Sequence, residues 1–458
     1  MPKPEGLHTV AADVMFDGWA RRTNCVIDVA DDRVVGVREL GEEAFSRARE
    51  DADLAAYAVV PGLVDAHVHI TGYREGLPAG NPYEPAKHFL RLCMLNGVTS
   101  LRDTGNSIEA LEYLKEWASR YGGPRIVGCG PLLDTPPLTW AFSRLVRDPQ
   151  SAAEQVGRLA HEGVDFVKAY RNVEPVVLGA VVAAARDHEL DVAVDLARTG
   201  VDEACSLGVR SVEHAVTLNG AGVLDGDSCA CREGAVDHVK AWADVDVHGD
   251  RAKRLRALFV EHDVALVPTF LVTRRWTFFD EMTSEPRNRE MAAVMPYHRH
   301  FEHMRGPMGA RIGRKLAARY MPIAPLSKAD VALATRGIDH MRELVSLMQG
   351  DGVAIVAGTD APNPSVVPGF ALHTELGEMV RAGMNPLDAL RAATGQAGQL
   401  LRRPDVGVIA EGSFADLLLL ERDPTVDIAA TATIAGVVRG GAVVDRARLE
   451  RLVNEATE

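Results

Sequence analysis

The chain is short of the features that would tie it to a membrane, a nucleic acid or an oxidising compartment. No apolar run in its 458 residues approaches the roughly 20 needed to span a bilayer. The opening Met1-Pro2-Lys3-Pro4-Glu5-Gly6 lacks the basic, apolar and small-residue succession of a secretory signal, so a cytoplasmic location is expected. Positive charge is outnumbered: 50 Lys and Arg stand against 64 Asp and Glu, a formal charge of -14 that disfavours a polyanionic partner and excludes nucleic acid from the expected ligands. Cysteine is scarce, and six in so long a chain do not form a disulfide framework. Cys25, Cys93, Cys129 and Cys205 lie in apolar surroundings and read as small buried hydrophobes. The pair Cys229-Ala230-Cys231 has no second cysteine pair beside it to build a structural zinc site, and reads as an inert loop pair. What is present is 47% hydrophobic and 25% charged residues, the composition of a globular protein, with length enough for a closed α/β barrel and a smaller satellite domain.

The most informative stretch is Pro61-Gly62-Leu63-Val64-Asp65-Ala66-His67-Val68-His69-Ile70, an apolar strand that ends in two histidines one residue apart. Side chains alternate faces along a strand, so His67 and His69 point the same way and offer two imidazoles to one metal ion.

Around this stretch the chain divides by texture. Asn24 to Val29, Arg33 to Val37 and Ala55 to Val60 read as strands, with a polar helix around Glu42 to Asp51. The far end repeats the pattern with Asp416 to Leu420, Ile434 to Val438, a Gly440-Gly441 turn and Ala442 to Val444. If these two ends pair, residues 1–62 and 401–458 form a small β-sandwich around a central domain of residues 63–400. That centre alternates helical patterns with eight candidate strands: Leu63 to His67, Thr99 to Asp103, Arg125 to Gly128, Phe166 to Ala169, Asp191 to Asp195, Ser211 to His214, Ala265 to Thr269 and Ala354 to Asp360. The helical patterns include Glu109 to Arg120, Ala152 to Glu162, Val176 to His188 and Asp202 to Leu207. The expected fold class is therefore α/β, a TIM-like (β/α)8 barrel with a β-sandwich made by both termini. Chemistry in such a barrel sits at the C-terminal ends of the strands, where His67, His69, Asp103, Lys168, Asp195, His214 and Asp360 fall.

At this point the sequence resembles the metal-dependent amidohydrolase superfamily, especially its imidazolonepropionase-like and Xaa-Pro-dipeptidase-like branch. The resemblance runs through Pro61 to His69, Gly97-Val98-Thr99-Ser100-Leu101-Arg102-Asp103-Thr104-Gly105, Gly123-Pro124-Arg125, Ser211-Val212-Glu213-His214-Ala215 and Ala357-Gly358-Thr359-Asp360-Ala361. It continues from Asn385-Pro386-Leu387-Asp388 to Ala415-Asp416-Leu417. It implies metal ligands at His67 and His69 on strand 1, Lys168 on strand 4 as a lysine that can be carboxylated to bridge two metals, His214 on strand 6 and Asp360 on strand 8. The family usually carries a histidine at the end of strand 5, where this chain has Val192-Ala193-Val194-Asp195.

Imidazoles and carboxylates suit a borderline divalent cation such as zinc, which makes a bound water nucleophilic near neutral pH. Asp360 is then expected to carry the proton from water to a leaving nitrogen, with His214 as ligand or hydrogen-bonding electrophile. Asp195 leaves two arrangements open. Either Lys168 is carboxylated and Asp195 replaces the histidine in a two-metal site, or Lys168 is an ammonium paired with Asp195 beside a single metal on His67, His69 and Asp360.

Arg102 and Asp103 read as an ion pair beneath the site, and Asp65 as a carboxylate orienting one of the histidines. Arg171, Arg274 and Arg275 follow strands 4 and 7 and are candidate contacts for an anionic group on a small-molecule substrate. Met291 to Tyr320, with His298, His300 and His303, reads as a helical cover, and Leu218 to Asp250 as a lid or mobile insertion. The leading expectation is a metal-dependent hydrolase of an amide or other C–N bond, with homo-oligomerisation allowed. The alternatives are a metal-dependent lyase, isomerase or cyclising enzyme, and a metal-free scaffold.

Overall fold

The computed structural model describes residues 7–72, 83–140, 142–219, 235–295 and 326–457. The strands in chain order are β1 (Leu7–Phe16), β2 (Arg21–Ala30), β3 (Arg33–Glu39), β4 (Leu54–Pro61), β5 (Leu63–Val68), β6 (Val98–Asp103), β7 (Arg125–Gly128), β8 (Leu133–Asp134) and β9 (Arg144–Leu145). They continue with β10 (Val167–Ala169), β11 (Val192–Val194), β12 (Ser211–Glu213), β13 (Ala265–Val267), β14 (Leu417–Leu420), β15 (Ile434–Arg439) and β16 (Ala442–Val443).

Both ends of the chain build one seven-stranded sheet, in the order β16-β15-β14-β4-β1-β2-β3. The closing contact is β14 antiparallel to β4, with Leu417 opposite Pro61 and Leu420 opposite Ala58. Alternation along the strands feeds two apolar clusters, as a pleated sheet requires. Val10, Cys25, Ile27, Val59, Leu417 and Leu419 share one, while Ala11 and Val26 meet Phe45 of the helix Glu42–Asp51 in the other.

Between β4 and β14 the strands pair in parallel, in a three-stranded sheet β5-β6-β7 and a six-stranded sheet β13-β12-β11-β10-β8-β9. Every residue of β5 and β6 is buried, the burial pattern of strands covered on both faces. The covering helices have clear local causes. Ser107 caps Ile108–Tyr121 by accepting from the Ala110 N–H, and Asp148 and Ser151 form a reciprocal capping box at the start of Pro149–His161.

The expected strand from Ala354 to Asp360 is not a regular ladder. The segment runs between β13 and β5 with only isolated bridges, Leu266 to Ile355 and Val68 to Ala361. Its amide–carbonyl bonds switch partner along the way: Val356 N–H donates to Leu266, whereas Asp360 N–H donates to His67. The switch is possible because Gly358 lets backbones approach: a Cβ there would stand 2.5 Å from Val267 Cγ1 and 2.7 Å from His67 Cβ.

Cys25, Cys93, Cys129 and Cys205 are buried free thiols, and burial pushes Cys129 and Cys205 up to about 12, which suits packing rather than reactivity. Cys229, Cys231, His298, His300 and His303 lie outside the described residues, as do residues 220–234 of the expected lid and 296–320 of the expected cover. No helix among the described residues is long and apolar enough to cross a membrane.

Candidate metal centre

β5 delivers His67 and His69 to one place, as their spacing requires. The segment after Gly358 brings Asp360 to meet them, and one ligating atom from each of the three lies within 4.8 Å of the others. Asp360 Oδ1 stands 3.3 Å from His69 Nε2 and 3.6 Å from His67 Nε2. Asp360 adopts φ 61°, a left-handed conformation that costs energy for a residue with a Cβ. Asn363 holds it there by donating its side-chain N–H to the Asp360 carbonyl at 2.8 Å. Burial alone would raise the Asp360 pKa, but the hydrogen bond from His69 and the neighbouring imidazoles outweigh it and hold the carboxylate below its ordinary range.

The ring of His67 is set by a residue that sequence reasoning passed over. Glu213 Oε2 lies 2.7 Å from His67 Nδ1, and both side chains are fully buried. Burial opposes its charge, yet Arg102 beside it and the bond with His67 hold the Glu213 carboxyl well below the usual carboxylate range. An ionised carboxylate only accepts, so Nδ1 carries the ring proton and Nε2 presents a lone pair. Burial lowers the His67 pKa to about 3 and keeps the imidazole neutral. Arg102 donates to Glu213 Oε1 at 2.9 Å and to Ser211 Oγ at 3.0 Å.

Arg102 therefore pairs with Glu213 rather than with Asp103, because neighbours on a strand face opposite ways. Asp103 instead accepts from the Asn106 side chain and from Gly105 N–H. Asp65 orients no ring either: it accepts from Thr359 N–H, Thr359 Oγ1 and, at 3.3 Å, His67 N–H, which fastens β5 to the Asp360 segment through the backbone.

The other expected ligands fall beside this triad. His214, at φ 69°, places its ring centroid 4.7 Å from that of His67, and its Nδ1 lies 2.8 Å from Thr269 Oγ1. His214 Nε2 is 3.7 Å from Asp195 Oδ2. Lys168 is fully buried, and its Nζ has no hydrogen-bond partner among the described residues. The ion pair between Lys168 and Asp195 required by the one-metal arrangement is not made. Asp195 faces His214 and, at 3.8 Å, Arg171. Of the three candidate substrate arginines only Arg171 touches this group. Arg274 pairs with Glu281 and Glu378, and Arg275 with Glu285, on and around the helix Phe270–Thr277.

The donor set fits a divalent cation. His67 Nε2 and Asp195 Oδ1, like Lys168 Nζ, are buried polar atoms without a hydrogen-bond partner among the described residues, a costly condition unless something binds them. Imidazole and carboxylate are ligands of the kind that zinc takes.

Comparisons with known proteins show the family and the fold. The profile of the amidohydrolase family matches residues 58–444. Adenine deaminase 2 of Rhizobium etli is 34% identical over 134 residues, which make up 26% of this chain and only 22% of that protein. Two solved structures share the fold across nearly the whole length. A Xaa-Pro dipeptidase with bound methionine, 18% identical, superposes with a TM-score of 0.64 over 96% of this chain and 99% of its own. Bottromycin amidohydrolase, 22% identical, superposes with a TM-score of 0.71 over 99% of this chain and 91% of its own.

Proposed function

The chain belongs to the amidohydrolase family, whose enzymes are of the hydrolase type, and we propose that it is a metal-dependent hydrolase acting on an amide or other C–N bond of a small cytoplasmic molecule. The observation that carries this reading is the buried triad His67, His69 and Asp360, with His67 Nε2 without a hydrogen-bond partner among the described residues while Glu213 fixes its tautomer. We also propose that the two parallel sheets close into a (β/α)8 barrel within residues 63–400, and that residues 1–62 and 401–458 form a β-sandwich. The strand-like contacts of residues 354–361 with β13 and β5 support closure on that side.

In this reading His67, His69 and Asp360 hold a divalent ion, most simply zinc. Lys168 is carboxylated and, with His214 and Asp195, holds a second. The support is electrostatic: a fully buried ammonium with no acceptor among the described residues costs several kcal/mol, by order of magnitude, whereas a carbamate would be a ligand. When bound, such an ion polarises a carbonyl and acidifies a water. The rest falls to the side chains. Asp360, ionised at neutral pH, accepts the proton of water as its oxygen bonds to the carbonyl carbon. It returns that proton to the nitrogen as the C–N bond breaks, so that acid and amine products balance. His214 Nε2 faces the same space as a ligand or hydrogen-bond donor, and Arg171 stands where it would receive an anionic substrate group.

Asp195 in place of histidine favours a second reading, a lyase, isomerase or cyclising enzyme. The added carboxylate makes the centre less positive and weakens its pull on a carbonyl. A screen of N-acyl amino acids, dipeptides, lactams and cyclic ureas with zinc-loaded protein in labelled water separates the two: label entering the product supports hydrolysis, and turnover without it supports the second. Asp360→Asn should abolish turnover while leaving the fold intact by circular dichroism, and activity within about tenfold of wild type at saturating zinc would exclude Asp360 as the proton carrier.

A further inference from the structure

Two residues beyond Lys168 stands a group that the reading above leaves unused. Tyr170 follows β10, is 8% exposed, and shares an apolar cluster with Val64, Ala66 and Leu132, against which Trp140 and Phe142 pack. Its ring centroid lies 5.6 Å from Lys168 Nζ, and its hydroxyl sits in the field of Asp195, Arg171 and Asp360, three residues of the candidate centre and its rim.

The hydroxyl has one partner among the described residues. Trp140 Nε1 lies 3.2 Å from Tyr170 Oη, and an indole N–H can only donate. Tyr170 Oη is therefore the acceptor, so its own hydrogen points elsewhere. A phenol keeps that hydrogen at neutral pH. No described side chain or carbonyl accepts it, and a buried donor without an acceptor is costly unless a ligand completes it.

From this placement we infer that Tyr170 is a further catalytic residue, whose O–H, aimed by Trp140, donates a hydrogen bond to the substrate oxygen on which negative charge develops. The inference deepens the hydrolase reading and rests on it. It makes the ligand of this subsite the oxygen of a tetrahedral, negatively charged group. A preset donor of this kind typically accounts for a factor of about 100 to 1,000 in turnover. The competing role is structural, a clamp that merely ties Trp140 and the turn before it to β10.

Inorganic phosphate, a tetrahedral oxyanion, distinguishes the two roles without a known substrate. Wild type and Tyr170→Phe are loaded with zinc, assayed for metal content and thermal midpoint, and titrated with phosphate by calorimetry. Phosphate should bind wild type and bind Tyr170→Phe at least about tenfold more weakly, with zinc content unchanged. Trp140→Phe, which removes the aiming donor but not the hydroxyl, should fall between them. Equal affinity in wild type and Tyr170→Phe, or no phosphate binding by zinc-loaded wild type, overturns the role of Tyr170 while leaving the hydrolase reading in place. A wild type that takes up no zinc overturns that reading and this inference together.

Discussion

At the scale of single residues, the centre depends on partners that are less conspicuous than its histidines. Glu213 selects the His67 tautomer, and Arg102 keeps Glu213 ionised although both side chains are buried. Glu213→Gln should keep the fold and lower zinc affinity about 10- to 100-fold, the usual effect of losing a carboxylate behind a ligating histidine, as measured by competition with a chelator. The histidine pair was legible in the sequence because a spacing of two on a strand has one geometric meaning. Glu213 was not, since a glutamate beside a histidine has many. The available signal was that Arg102 and Glu213 both stand in apolar strands, where opposite charges must find each other. A second buried acid, Glu375, accepts from the N–H groups of Phe270 and Leu271 at 2.8 and 2.7 Å, and so holds the helix that follows Thr269 and, through it, the Thr269 contact with His214. Burial raises its pKa to about 8 against those bonds. The folded state thus holds a proton that the unfolded chain releases near pH 4.3, so stability is fullest below that value and falls as pH rises towards 8. Thermal midpoints of Glu375→Gln should change less between pH 5 and 8 than those of wild type, and parallel curves would contradict this.

At the scale of elements, strands with a strong apolar signature were readable to within a residue or two: Leu63–Val68, Val98–Asp103 and Arg125–Gly128 lie where their β-branched runs place them. The two-residue strands Leu133–Asp134 and Arg144–Leu145 were not, because two residues carry no period. Leu7–Phe16 was missed for another reason. From Val10 on it is buried almost throughout, so the alternation that marks a half-exposed strand is absent. The segment from Ala354 to Asp360 was expected as a strand because its composition is that of one, but its task is to bend Asp360 towards His69. Gly358 allows that bend, and Gly358→Ala should push the segment away from His67 and Val267. We expect a loss of about 1 to 3 kcal/mol in chemical denaturation, the range for overpacked cores, together with a drop in bound zinc. Unchanged stability and zinc content would show that the close approach is not needed.

At the scale of the whole molecule, the two chain ends meet through β14 and β4, and β4 is separated from β5 by Gly62 alone. Gly62 N–H donates to Asp416, next to β14, so the terminal sheet anchors the strand that carries His67 and His69. The fold and family were legible because motifs spread along the chain fall at ordered positions. The number of metals was not, since it depends on where Lys168 and Asp195 point, and strand periodicity leaves open how far a side chain reaches. The most direct test of a metal-dependent enzyme with a carboxylated Lys168 is the zinc content of wild-type protein, by elemental analysis after reconstitution with and without bicarbonate. About two zinc ions per chain are expected with bicarbonate and clearly fewer without it, because both carbamate and metal must be in place. Zinc well below one per chain in both preparations, with no further loss in His67→Ala, would contradict it.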